Sequence, residues 1–149
     1  MIPTLDIKIK VQISAIVNAS EDLLKISTGL KNITGDVEPS KRQGSNNLLV
    51  WEFDSVNALY NFYMKIRERQ IVSAARRLLL RNMRNDSTWV YLNKQAAFVG
   101  NIVLCDDEEE SPLGPFVLKI KSPLLMEVID WIVGEQRIED STNELRRPF

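Results

Sequence analysis

The chain has 149 residues, 44% hydrophobic and 26% charged, with one cysteine, no histidine and a formal net charge of −1. That length suits a single domain able to bury roughly 70% of the surface its unfolded chain exposes, and the composition is that of an ordinary folded protein. Without histidine there is no Ser-His-Asp or Cys-His pair, no HExxH zinc site and no imidazole base, and a lone thiol cannot close an intrachain disulfide.

In chain order, MIPTLDIKIK carries Asp6 and alternates too early for a signal peptide. From Ile7 to Val17 apolar and polar residues alternate, the pattern of a half-buried strand with one face in water. Asn18 and Glu21 have the spacing of a capping box, and Leu23, Ile26, Leu30 and Ile33 continue at helical spacing, with Gly29 weakening the helix. Gly35 to Asn47 reads as a flexible connection. Leu48 to Phe53 is a short buried strand, and Asp54 and Ser55 can cap a helix carrying Leu59, Phe62, Tyr63 and Ile66. A second helical stretch runs from Ile71 to Met83, with a bend between Glu68 and Ile71.

Three strands follow: Thr88 to Asn93, Gly100 to Cys105 and Phe116 to Lys121. Ser111-Pro112-Leu113-Gly114 suits a type I turn closing a hairpin between the last two. Ser122 and Pro123 open a final helix with Leu125, Val128, Ile129 and Ile132 as its stripe and Gly134 as its C-cap, and 135–149 is a charged peripheral tail. This order predicts a single two-layer α+β domain: a mainly antiparallel sheet with helices packed on one face. No apolar run approaches the ~18 residues of a membrane span, so the chain reads as cytoplasmic with no membrane partner.

The net charge conceals two opposed blocks. Lys65 to Arg84 holds seven basic residues and one acid, Glu68, whereas Asp106 to Glu110 is five consecutive acids. Arg77, Arg81 and Arg84 share a helical face opposite Val72, Ala75 and Leu79, and rigid guanidinium forks suit phosphate oxygens. The plainer alternative is a solvated face whose arginines pair with acids such as the Asp106–Glu110 run. That run lacks the alternating spacing and glycine of a calcium loop and reads as a solvated loop. Trp89 and Tyr91 could stack on bases but are read first as core, and Cys105, after Ile102, Val103 and Leu104, as a small buried hydrophobe. No phosphate-binding glycine loop and no metal or cofactor motif is present. An enzyme would need a carboxylate or lysine site such as Asp130 or Lys94, with no supporting constellation.

Several segments together carry a family resemblance: SEDLLKI (Ser20 to Ile26), RERQIVSAARRLL (Arg67 to Leu79), KQAAFVG (Lys94 to Gly100), ESPLG (Glu110 to Gly114) and EVIDWIV (Glu127 to Val133). In this order they resemble the archaeal uncharacterised protein family (UPF) 0201, over Ile7 to Val133. The resemblance implies a fold similar to large-ribosomal-subunit protein L-five and suggests RNA binding through that similarity, and it brings no catalytic residue or cofactor. The chain departs from the family pattern after Trp131, and near Ser73 it lacks an acid common in the group, which makes the basic segment more positive. The expectation is therefore a non-enzymatic protein that binds RNA through Arg69, Arg76, Arg77, Arg81, Arg84 and Lys94. The alternative is an interaction module or homodimer in which the two charge blocks pair between subunits.

Overall fold

The alternating stretch near the N-terminus becomes strand β1 (Lys10–Ile16), with Val11, Ile13 and Ala15 buried on one face. The structure, a computed structural model, describes residues 7–134; the expected tail at 135–149 lies outside the described residues. Helix α1 (Leu23–Thr34) follows, then β2 (Lys41–Ser45), β3 (Leu48–Phe53), a short 3-10 turn, α2 (Tyr60–Glu68) and α3 (Val72–Arg81). The second half holds β4 (Ser87–Leu92), α4 (Lys94–Phe98), β5 (Leu104–Cys105), β6 (Phe116–Lys121) and α5 (Leu125–Val133). The strands form one antiparallel sheet in the order β2-β3-β1-β6-β4-β5.

The core lies between one face of this sheet and the helices. Phe53, Phe116, Leu118, Ile120 and Val90 from the strands meet Ile26 and Ile33 of α1, Phe62 and Ile66 of α2, Leu78 and Leu79 of α3, and Ile129 and Ile132 of α5. This is the expected two-layer α+β arrangement, with the helices segregated to one face.

Several local expectations are corrected. The segment read as a flexible connection contains β2, an edge strand with every residue exposed, so no apolar alternation marks it. It closes on β3 through Asn46 and Asn47, both with positive φ (51° and 66°), the backbone of a type I′ hairpin turn. KQAAFVG, given no element from the sequence, holds a short helix: the Asn93 side chain accepts from the Ala96 N–H at 2.8 Å, and Gly100 at φ 87° ends it. The Gly100 N–H bonds to the Ala97 carbonyl and the Asn101 N–H to the Ala96 carbonyl, the Schellman pattern. After this helix the chain is irregular as far as Val103, so of the strand expected from Gly100 to Cys105 only β5 forms.

The expected hairpin between β5 and β6 does not exist, because β4 pairs with both and lies between them. In the Ser111–Gly114 turn Leu113 takes φ 66°, a type II rather than type I requirement at the third position. The cap of α1 is Asp22, accepting from the Leu24 N–H at 2.9 Å, and not Asn18, while Leu23 is exposed. Helix α5 begins two residues after Pro123 with no side-chain cap, though the Ser122 hydroxyl accepts from the Leu124 N–H.

Gly29 has a packing reason within α1. A Cβ there would come within 2.8 Å of the Phe116 ring, itself fully buried and edge-on to Phe98. Gly29→Val should therefore destabilise the fold by about 1–3 kcal/mol through overpacking, despite removing a helix-weakening glycine. Urea denaturation checks this; a Gly29→Val protein at least as stable as the parent removes the close-packing explanation.

Candidate nucleic-acid interface

The basic segment divides into different environments. Arg77 and Arg81 project from α3 into solvent and converge on one acidic residue: Arg77 pairs with the Asp106 carboxylate at 3.2 Å, and Arg81 donates to the Asp106 carbonyl at 2.9 Å. Arg84 lies beyond the end of the helix, not on it. It donates to the carbonyls of Arg81 and Met83 and holds its guanidinium 5.8 Å from the centre of the Trp89 ring, within cation–π range. Arg69 is exposed at the end of α2, at a marginal 3.5 Å from Asn101.

Arg76 and Arg67 face the other way. Arg76 donates to the Val133 carbonyl and Arg67 to those of Ile132 and Gly134, both at 2.8 Å for Arg67. Two guanidinium groups thus cover the last carbonyls of α5, where cations complement the helix dipole. Arg76 serves packing and is withdrawn from the exposed arginines.

Lys94 is corrected most sharply. Its side chain is 0% exposed and pairs with Glu21, 5% exposed, at 3.0 Å. Its ammonium also donates to the carbonyls of Ile16 and Leu113 at 2.7 and 2.9 Å. No donor remains to meet a phosphate. The capping-box spacing had a different outcome: Glu21 does accept from the Asn18 N–H, at 2.9 Å, but it is the counter-ion of Lys94. Burial pushes the Glu21 carboxyl up, yet hydrogen bonds from the Asn18 backbone and side chain and from Lys94, with the ammonium charge, outweigh it and hold the carboxyl below its ordinary value.

The acidic run is largely self-satisfied. The Asp106 N–H donates to Glu110 at 2.8 Å, and Asp107 caps the 3-10 turn at Glu108–Glu110 by accepting from the Glu109 N–H. The opposed charge blocks meet through Arg77 and Asp106 within one chain. Cys105 is buried, as expected. Burial first, then Glu110, Asp107 and Asp106, push its thiol up to about 11, so it stays protonated near neutral pH and is a poor nucleophile.

The sheet face away from the helices is the part that the residue pattern misassigned. Trp89 and Tyr91 alternate with the buried Thr88, Val90 and Leu92, and so lie on the open face, half-buried, and not in the core. The register puts Lys119 directly opposite Trp89 and Lys121 opposite Ser87. Across β1, Gln12 faces Lys119 and Lys10 faces Lys121.

Comparison with known proteins follows the same lines. A family model described as RNA binding matches residues 10–122. A UPF0201 protein of Sulfurisphaera tokodaii is 38% identical over 125 residues, covering 83% of this chain and 86% of the relative, and one of Metallosphaera sedula is 33% identical over 123 residues with the same coverage. The chain belongs to the UPF0201 family. The crystal structure of the UPF0201 protein of Methanococcus jannaschii has a similar fold, with a TM-score of 0.69 at 28% identity, over 85% of this chain and 94% of that one. A second UPF0201 crystal structure, 23% identical, shares the fold with a TM-score of 0.71 over 86% and 95% of the two chains. Among the described residues of this UPF0201 protein, no helix is long and apolar enough to cross a membrane.

In this family member the Lys94–Glu21 pair ties α4 to the end of β1, the approach to α1 and the loop before β6. Removing one partner leaves the other charged and buried, so Lys94→Met should cost about 3–5 kcal/mol of stability at pH 7. The Glu21 carboxyl is lowered in the folded state, so its contribution is complete above its unfolded value, near 4.5, and is lost as pH falls through the lower folded value. Glu21→Gln should be less stable than the parent at pH 7 and lose less on acidification to pH 3. Parallel urea-stability profiles across that range would rule out this linkage.

Proposed function

We propose that this protein binds RNA in the archaeal cytoplasm without catalysing a reaction, and that Arg77, Arg81 and Arg84 contact backbone phosphates, with Arg69 as a further basic contact. A likeness to large-ribosomal-subunit protein L-five, implied by the sequence resemblance, belongs to the same reading. The observation that carries it is the division of the basic segment: these three arginines form a contiguous exposed group, while Arg67 and Arg76 serve the end of α5. Asp106 is a weak competitor for them. An ion pair with both partners about half exposed, as Arg77 and Asp106 are, contributes roughly 0–1 kcal/mol, so a phosphate can displace the carboxylate. The family model described as RNA binding supports the ligand class.

Several features support the absence of catalysis. The chain has no histidine, the Cys105 thiol is held protonated, Lys94 is locked in an ion pair, and Asp130 is exposed on α5. The residues that the sequence offered as candidate enzyme groups are thus not poised for general acid, base or nucleophile roles.

Binding of single-stranded RNA should weaken with salt at a log–log slope near −2 if three phosphates are contacted. Arg77→Glu/Arg81→Glu/Arg84→Glu should abolish most of the affinity and flatten that slope, measured by fluorescence anisotropy from 50 to 300 mM salt (about the range where counterion release dominates). Unchanged affinity in the triple variant rejects the arginine assignment.

A further inference from the structure

The open face of the sheet has a chemistry that the arginine cluster does not account for. Reading across the strands, Trp89 lies opposite Lys119, Lys119 opposite Gln12, and Gln12 opposite Glu52. The next row outward runs from Ser87 through Lys121 to Lys10. Glu52 is the one carboxylate on the open face of β1, β3, β4 and β6, and Lys10 stands 3.6 Å from it. Lys119 and Lys121 are exposed and have no ion-pair partner among the described residues. Asp54 and Asp86 lie just beyond the ends of β3 and β4, off the strands themselves.

Resting on the RNA-binding reading above, we infer that this face is a base-stacking platform for single-stranded RNA, with Trp89 and Tyr91 as the stacking residues and Lys119, Lys121 and Lys10 tracking the phosphates. Three observations converge on that occupant. The two aromatic rings stand two residues apart on one strand, about 6.6 Å, so each can receive its own base from an extended strand. Both belong to the open layer of a sheet whose other face is closed by helices, and among the described residues no helix or strand covers them. The charge beside them is net positive, with Lys119 and Lys121 free of ion pairs among the described residues and Lys10 shared with Glu52, which complements a phosphate backbone. Arg84 joins the two regions: its guanidinium is near the Trp89 ring and donates to the Arg81 carbonyl, so a strand lying on the sheet can run off its edge onto the arginines. A duplex cannot use the rings, because its bases are already stacked on one another.

The test compares a single-stranded oligouridine with a duplex of equal length, titrated against the parent protein, Trp89→Ala/Tyr91→Ala, Trp89→Phe and Lys119→Glu/Lys121→Glu. Single-strand affinity should fall at least about tenfold in the double alanine variant with the salt slope retained, since stacking is lost and phosphate contacts are not. Trp89→Phe should keep most of the affinity, and Lys119→Glu/Lys121→Glu should lower both affinity and slope. These lysines are exposed, so that variant guards against loss of folding in the alanine pair. Equal binding of duplex and single strand, or full affinity in Trp89→Ala/Tyr91→Ala while the arginine triple variant fails, overturns the platform and leaves the RNA reading standing. No salt-dependent binding of either RNA by the parent protein overturns both. Monomerisation of a dimeric parent by Trp89→Ala/Tyr91→Ala would instead make the face a contact between copies and overturn the platform.

Discussion

A strand can bury only alternate residues when helices cover one side of its sheet, and the rest of this structure follows from that constraint. Val11, Ile13, Val90, Leu118 and Ile120 are withdrawn from water beneath the helical layer, where apolar burial supplies most of the driving force for folding. Among the described residues, no second layer covers the intervening ones. On most antiparallel sheets that second face is simply polar. Here it combines two aromatic rings with lysines, because β4 alternates aromatic and aliphatic residues and β6 alternates aliphatic residues with lysine.

The helical layer is joined to the sheet at one end by a buried ion pair. Lys94 lies at the start of α4 and bonds to carbonyls at the end of β1 and in the Ser111–Gly114 turn, while Glu21 comes from the segment leading into α1. Such pairs add little net stability over an apolar replacement, since both charges must leave water. What they do impose is geometry, because an ammonium with three directed donors and full burial tolerates few arrangements of its acceptors. The register of four chain segments is thereby set around one nitrogen.

The arginines show how one basic run is sorted by its surroundings. Arg67 and Arg76 lie where α5 ends and take its free carbonyls, Arg77 and Arg81 lie beside the acidic loop, and Arg84 lies past the helix against Trp89. A cation beside unsatisfied carbonyls is fully occupied, whereas one beside an exposed carboxylate remains exchangeable. The plainer alternative raised by the charge pattern holds for Arg77, which pairs with the acidic run at an exposed site.

Local chemistry was legible wherever an element buries one periodic face. β1 follows from alternation, β3 from a short apolar run, and the stripes of α1, α3 and α5 from spacing of three and four. β2 was hidden because KRQGS is exposed on both sides and carries no pattern, and α4 because five residues are too few to establish a period. Strand order was out of reach for a different reason: β4 inserts between β5 and β6 through contacts distant in sequence, which no local signal records. The sequence by itself determined the two-layer class, the absence of imidazole chemistry and the opposed charge blocks. Only the tertiary structure decided which parity of β4 faces water, since both sets of its alternating residues contain apolar groups, and which cations are buried, since an isolated lysine or arginine takes its role from the acceptors that the fold brings to it.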